Sequence, residues 1–226
     1  MEKHMQSKMF DKVFLTGCDE KTEWQLPFFL DTFHSLNHKT KLIVTDFGMS
    51  EDMRNKAIHH PAVESVMNMQ NDDQDKLNGW FLKPQSMLHC PSRATVWIDT
   101  DCEIRANIDD IFDKLAPNKL NMVEDKPWTK RRGEVWYNSG VVGFIDKPPI
   151  LHLWVDSTRM NPVVGDQEVL HSMLNPITQL TWINPLPNEY NVMRLQTELD
   201  DYKGKIKVMH WTGAKGNEVI RSMMNG

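Results

Sequence analysis

The run Ala94-Thr95-Val96-Trp97-Ile98 passes without interruption into Asp99-Thr100-Asp101-Cys102-Glu103-Ile104. Its opening residues are small, β-branched or aromatic, which suits a strand buried on both faces of a sheet. Such a strand needs helices packed on either side, so this one run already points to an α/β arrangement. Two aspartates then stand at the strand's carboxyl end, where open α/β sheets gather their ligands. In an extended chain alternate residues face one way, so the Asp99 and Asp101 carboxylates are expected to share a face while Thr100 turns from it. Two carboxylates that close stay charged only with a cation beside them. The stretch therefore reads as a metal platform.

The flanking segments repeat one alternation of strand and helix. Lys12 to Gly17 is a strand that breaks at a glycine, and residues 1–11 before it read as a loose arm. Asp19 to Trp24 opens a helix reaching about His38, with Thr22 as a candidate cap and Pro27 either bending it or marking its first turn. Lys41 to Gly48 is a second strand. Ser50 caps the next helix, Glu51 and Asp52 suit its first turn, and Val63 to Val66 is a third strand. This order implies parallel pairing through right-handed crossovers. The acidic run Asn71 to Asp75 lacks the glycine and distal glutamate of a calcium loop and reads as a solvated loop. A short helix is expected from Lys83, with Pro84 at its first position, to about His89. Lys83 at its mouth is, by residue type alone, more often a surface charge than a ligand contact.

Beyond the aspartates, Ile108 to Leu115 has helical periodicity and Pro117 stops it; Leu120 to Val123 is a strand. Lys126 to Gly133 reads as a mobile loop, although its basic triplet Lys130-Arg131-Arg132 would also suit an anionic acceptor. In the apolar run Val135 to Phe144, the insert Asn138-Ser139-Gly140 is wrong for packing, a local conflict that often marks function. Helices follow over Pro148 to Arg159 and Gly165 to Leu174. Asp166, at the start of the second, serves equally well as a cap or as a ligand. A rigid connector from Pro185 to Asn191 precedes a last strand, Lys205 to His210, which delivers His210 to the turn Trp211-Thr212-Gly213-Ala214-Lys215-Gly216. No repeat, linker or low-complexity stretch interrupts the chain, so residues 1–226 are expected to form one domain.

Bulk properties narrow the partners. A net charge of −5 supplies no basic footprint for nucleic acid. No apolar run approaches the roughly 18 residues of a membrane span, and the polar start Met1 to Lys8 lacks a signal peptide's apolar core. No integral membrane segment is expected. Cys18, Cys90 and Cys102 are odd in number and lack zinc spacing, which points to reduced thiols and a cytoplasmic setting, with Cys102 a small buried side chain.

An aspartate pair at one strand end, a histidine at another and a glycine–lysine turn after it form a metal-plus-phosphate constellation. Two carboxylates and an imidazole leave about three of six positions open on Mn²⁺ or Mg²⁺, and the imidazole favours Mn²⁺. Lys215 is placed to neutralise a diphosphate, with Gly213 and Gly216 permitting close backbone approach. Each part alone is a weak signal.

Together the set resembles the GT-A glycosyltransferases, above all family 8, the glycogenin and bacterial galactosyltransferase group. The matches run in family order over residues 12–215: Leu15-Thr16, Lys83, Trp97-Ile98-Asp99-Thr100-Asp101, Asn138-Ser139-Gly140, Asp166-Gln167, Leu186-Pro187 with Tyr190-Asn191, and His210 to Lys215. The last turn is one residue shorter than the family's, and Gly216-Asn217 stands where the family has Pro-Trp. The resemblance implies a single GT-A domain, a Rossmann-like nucleotide-diphospho-sugar fold with a mixed, mostly parallel sheet flanked by helices. It implies Asp99, Asp101 and His210 as metal ligands, and Leu15, Thr16, Gly17 and Lys83 near the nucleotide, with Asp99 and Thr100 beside it. It further implies Asn138, Asp166 and Gln167 on the donor sugar, and Gly213 and Lys215 on the diphosphate. The activity implied is hexose transfer from a UDP-sugar to a glycan, lipid-linked or protein acceptor, with retention of anomeric configuration.

Two other classes are weaker. A nucleotidyltransferase would be expected to carry a glycine-rich basic loop near its start, whereas Gly17-Cys18-Asp19-Glu20 is acidic. Dehalogenase-type phosphatases carry their aspartates on the first strand, not mid-chain. A non-catalytic nucleotide-sugar or carbohydrate-binding relic of the fold is the remaining alternative.

Overall fold

The computed structural model describes residues 9–69, 79–161, 164–199 and 202–226. The acidic run expected as a loop, 71–75, and most of the expected N-terminal arm lie outside them. In chain order the described elements begin with β1 (Phe10–Cys18), α1 (Leu26–His34), β2 (Lys41–Asp46), α2 (Glu51–His59), β3 (Val63–Asn68), α3 (Gly79–His89), β4 (Ser92–Ile98) and β5 (Cys102–Ile104). They continue with β6 (Leu120–Glu124), α4 (Lys126–Arg132), β7 (Tyr137–Ile145), α5 (Pro149–Met160), α6 (Asp166–Ser172), α7 (Pro176–Trp182) and β8 (Ile183–Pro185). The chain closes with β9 (Val192–Met193), α8 (Arg194–Glu198), β10 (Val208–His210) and α9 (Gly213–Asn225).

Seven strands form one sheet in the order β3-β2-β1-β4-β7-β6-β8. β3, β2, β1 and β4 run parallel, β7 is antiparallel to both β4 and β6, and β8 is parallel to β6. The sheet is thus mixed and mostly parallel, as expected. Alternation along β1 divides the core. Phe14 joins Val96, Ile98 and Leu42 beneath Leu26, Phe29 and Phe33 of α1. Val13 and Leu15 join Trp97, Val142 and Phe144 on the opposite face, against Met87 of α3 and Leu151 and Trp154 of α5. Both faces of β4 are therefore covered, which its composition demanded. No helix among the described residues is long and apolar enough to cross a membrane.

Strand order reverses between β1 and β4: β2 and β3 lie to one side, β4 and its neighbours to the other. A crevice opens outside the carboxyl ends of strands at such a switch point. A second, three-stranded sheet, β5-β10-β9, stands at that end. Its register pairs His210 with Cys102, so backbone pairing carries the chain's tail to the residues that follow β4.

Several expectations need correcting. Ile98 ends β4, and Asp99 to Asp101 form a turn closed by the Cys102 amide on the Asp99 carbonyl (3.1 Å). Strand alternation therefore does not set the directions of the two carboxylates. The first strand begins at Phe10, so residues 10 and 11 belong to the sheet and not to an arm. The first helix is α1 after a 3₁₀ turn, with Pro27 in its first turn. Thr22 makes no cap bond to a helical amide and instead donates to the Asp19 carboxylate (2.8 Å). α3 starts at Gly79, a turn earlier than Lys83, with Pro84 inside it. The 108–115 segment is a 3₁₀ helix, Asp109–Lys114.

The expected loop at Lys126 to Gly133 is helix α4. Asp125 caps the Trp128 amide, and Gly133 takes the left-handed conformation that ends such a helix. The glycine–lysine turn is likewise the start of α9, where a Cβ on Gly216 would stand 1.9 Å from the Trp211 carbonyl oxygen.

Candidate active site

Two cavities of about 230 Å³ each meet at the carboxyl ends of β1 and β4. The first is lined by Gly17 and Cys18 at the end of β1 with Asp19 after it, by Gln25 and Phe47, and by Lys83, Trp97, Asp99, Thr100 and Asp101. Asp166, Gly213 and Asn217 complete it. The second shares Asp99 and Asp166 and adds Asp125, Trp128, Asn138, Gln167 and His210.

Lys83 sits between the two. It is 3% exposed, and its Nζ lies 2.9 Å from Asp166 Oδ2 and 3.2 Å from Asp99 Oδ1, while donating to the carbonyl and hydroxyl of Ser139 (both 3.1 Å). Burial works against this charge, but the Asp166 and Asp99 carboxylates outweigh it and hold the ammonium well above the usual lysine range. Burial pushes the Asp166 carboxyl up, Lys83 opposes that, and Asp99 adds to it. The Trp97 indole donates to Asp99 Oδ1 (2.6 Å), fixing that carboxylate from below. Asp166 caps nothing; its helix begins on Gly165, and its carboxylate turns to Lys83. Of the two roles open to it in the sequence, the cap is therefore not the one it takes.

On the other side, His210 Nε2 lies 3.0 Å from Asp101 Oδ1, and its Nδ1 lies 3.0 Å from Asn191 Oδ1. Burial disfavours the imidazolium, but Asp101 outweighs it and the histidine titrates above its ordinary value. The bond Trp211 N–H to Asp101 carbonyl (3.0 Å) ties the two segments together. Gly140 makes room for the ring, since a Cβ there would stand 2.2 Å from His210 Cε1. Among the described residues, ligand atoms of Asp101, Cys102 and His210 lie within 4.8 Å of one another; Asp99 is held outside that group by Lys83 and Trp97. Cys102 is fully buried, and burial together with Asp101 and Asp99 pushes its thiol far up, so the donors offered are oxygen and nitrogen.

The structure thus brings together Gly17, Lys83, Asp99, Thr100, Asp101, Asn138, Asp166, Gln167, Gly213 and His210. It does not bring Leu15, Thr16 or Lys215 to either cavity. The strand runs on past Leu15 and Thr16, so both are fully buried inside the sheet and it is Gly17 and Cys18 that reach the mouth. Lys215 is exposed on the first turn of α9. Thr100 donates to Gln25 (2.9 Å), whose amide reaches Asn217 (2.9 Å), linking the aspartate turn to α1 and α9.

Several site residues escaped the sequence reading. Asp19, Gln25 and Asn217 line the first cavity from segments with no motif. Asp125 was legible only as a polar residue three before Trp128, the spacing of a cap. Asn191 stood in a matched motif without a role.

The first cavity carries Asp19, Asp99, Asp101 and Asp166 against the single ammonium of Lys83. At about 4 Å and an effective dielectric near 20, each like-charge contact costs around 4 kcal/mol. The cavity is thus net negative before any ligand enters.

No protein-family model matches the sequence, and no curated protein does. Solved structures do match in fold. The galactosyltransferase LgtC, in complex with donor and acceptor sugar analogues, superposes with a TM-score of 0.65 at 12% identity, covering 93% of this chain and 95% of LgtC. The glycosyltransferase GlyE of Streptococcus pneumoniae gives 0.65 at 14% identity over 90% of this chain and 55% of its own. The bifunctional glycosyltransferase WbbM gives 0.62 at 14% over 93% and 47%. The chain thus spans nearly all of LgtC and about half of the other two, and it has the fold of these glycosyltransferases.

Proposed function

We propose that this chain is a metal-dependent glycosyltransferase of the family 8 type, a single catalytic domain that moves a hexose from a UDP-sugar to an acceptor with retention of configuration. The observation that carries the reading is the meeting of His210 and Asp101 at the switch-point crevice, imposed by the β5–β10 register.

Two of the three donors, Asp101 and His210, face one another in a way that fits a divalent cation, and Asp99, held by Lys83 and Trp97, would have to turn toward them. His210 presents Nε2 beside the Asp101 carboxylate, Gly140 leaves the ring its space, and Asp99 stands on the same turn. Asp19, Asp99, Asp101 and Asp166 against Lys83 leave the first cavity net negative, a charge that one Mn²⁺ or Mg²⁺ would largely offset. Asp99, Asp101 and His210 would hold the ion, which when bound supplies Lewis-acid stabilisation of a diphosphate leaving group.

The chain's own residues divide the remaining work. The first cavity, with Phe47 and Trp97 in its wall, suits the nucleotide. The second suits the hexose, whose hydroxyls meet Asp166 and Gln167. Lys83 holds the Asp99 and Asp166 carboxylates in place as positive charge develops on the sugar. An active-site variant of LgtC replaces a glutamine with glutamate, and a glutamine, Gln167, lines the second cavity here. Gly213 opens α9 at the crevice, and Lys215, exposed on the same turn, is the charge this reading assigns to the diphosphate. In a retaining front-face transfer, the departing phosphate takes the acceptor's proton. A glycan, lipid-linked or protein acceptor fits this chemistry. The three buried free thiols suit a reducing cytoplasm.

The test is a panel of nucleotide-sugars with Mn²⁺, scored by thermal shift and by release of free nucleotide. UDP-hexoses are expected to stabilise the protein and to be turned over, and Asp101→Asn to abolish both responses. Equal stabilisation by all nucleotides, or full turnover in EDTA, overturns the proposal. Stabilisation without any release would favour a non-catalytic binding protein.

A further inference from the structure

His210 is the last member of a hydrogen-bond chain whose donors and acceptors can be assigned without ambiguity. It starts at Asp125, whose carboxylate can only accept: Oδ1 takes the Trp128 amide (3.1 Å), and Oδ2 takes Asn138 Nδ2 (3.1 Å) and Gln167 Nε2 (3.2 Å). Asn138 Nδ2 also donates to Gln167 Oε1 (3.0 Å), and the Gly140 backbone N–H donates to Asn138 Oδ1 (2.9 Å). The Asn138 amide is therefore fixed with its oxygen toward Gly140. That oxygen also takes Asn191 Nδ2 (2.8 Å), which fixes the Asn191 amide in turn. Asn191 Oδ1 then faces His210 Nδ1 at 3.0 Å, and an oxygen there requires Nδ1 to carry the proton.

Asn138, Asn191 and His210 are each at most 6% exposed, so water does not substitute for a missing partner. Both amide protons and both lone pairs of Asn138 are engaged within the protein. It has nothing left for a donor sugar, which is where the family resemblance would place it.

We propose that Asn191, held by Asn138, is a positioning residue: the one-way relay from Asp125 gives Nδ1 a fixed acceptor and so commits that nitrogen to bearing a proton, leaving Nε2, which donates to Asp101 in the ion-free pair, as the nitrogen available to a cation. Without that acceptor a neutral ring could keep its proton on Nε2, donating to Asp101 and closing the pair against a cation. Partners of this kind are worth about 10–100-fold in metal affinity. This inference rests on the metal-site reading above.

The test uses the full chain and Mn²⁺ alone, followed by the electron paramagnetic resonance of free Mn²⁺. Asn191→Leu, which keeps volume but offers no acceptor, is expected to weaken Mn²⁺ binding about 10–100-fold. Asn191→Asp, which restores the acceptor on Nδ1 but sets an oxygen against Asn138 Oδ1, recovers part of it. His210→Ala separates the two claims. If that variant binds Mn²⁺ as the wild type does, the metal-site reading fails. If it loses binding while Asn191→Leu keeps it, or if Asn191→Asp binds as poorly as Asn191→Leu, the relay fails alone. Should Asn191→Leu not fold, nitrogen-15 histidine spectra of the Mg²⁺-loaded wild type decide: a protonated Nδ1 with bare Nε2 supports the relay, and a protonated Nε2 overturns it.

Discussion

Replacing Lys83 with methionine keeps the aliphatic stem packed in α3 and removes only the charge that Asp99 and Asp166 share. Nζ lies 2.9 Å from Asp166 and 3.2 Å from Asp99, and side-chain exposure is 4% for Lys83 and 10% for Asp166. Removing one partner of a buried pair costs about 3–5 kcal/mol, because the surviving charge is left without compensation. Asp166 carries most of that cost, since the Asp99 side chain is 27% exposed. Adding Asp166→Asn should therefore return part of the loss, with a coupling of about 1–3 kcal/mol between the two sites. In Lys83→Met the buried Asp166 titrates above its unfolded value, so the folded state binds the extra proton and the deficit narrows as pH falls. The assay is urea unfolding in EDTA, followed by tryptophan fluorescence, for the wild type, both single variants and the double. A loss below about 1 kcal/mol, the range of an exposed pair, or strictly additive losses, would refute this reading of Lys83.

Two further outcomes follow from the same geometry. Gly140→Ala places a Cβ where His210 Cε1 now lies, 2.2 Å away, so it should cost about 1–3 kcal/mol of stability and at least tenfold in Mn²⁺ affinity, read by unfolding and by titration. His38 donates from Nδ1 to the Phe33 carbonyl (3.0 Å) and accepts the Ile108 amide on Nε2 (3.2 Å), and burial holds its pKa below the ordinary value against opposing help from Phe33 and Asp109. Its unfolded form therefore binds the proton first, and its contribution to stability, full above about pH 7, falls as pH drops through about 6.5 toward the lower folded value. The difference in unfolding free energy between wild type and His38→Gln should shrink from pH 7.5 to 5; a constant difference would contradict the assignment.

The fold was legible because burial imposes composition. A strand covered on both faces has to look like Ala94 to Ile98, and the alternation of such runs with helices leaves few topologies. Ser50 and Pro149 marked helix starts because their effects are local to the backbone, whereas Pro27 left both a bend and a first turn open. Other starts depended on tertiary partners. α4 reads as a loop because four of its seven residues are basic, and its cap, Asp125, lies between it and the expected strand Leu120 to Val123 with no motif around it. α3 contains Pro84 where local preference would begin the helix.

The site shows the same division. Asp99, Asp101 and His210 announced themselves by residue type and position, but the partner of each was invisible. Lys83 looked like a surface charge and is buried between two carboxylates. Asn138 looked like a sugar ligand and is saturated by Asp125, Gln167, Gly140 and Asn191. Contacts that span tens of residues leave no spacing to read.

The account stands on Asp99, Asp101 and His210 closing on one ion. Anomalous difference maps from a crystal grown with Mn²⁺ and UDP test this directly. The expected result is a single strong peak within coordinating distance of His210 Nε2 and the two carboxylates, with diphosphate oxygens completing the shell. A peak elsewhere, with His210 still paired to Asp101 and the nucleotide bound without it, would contradict the account.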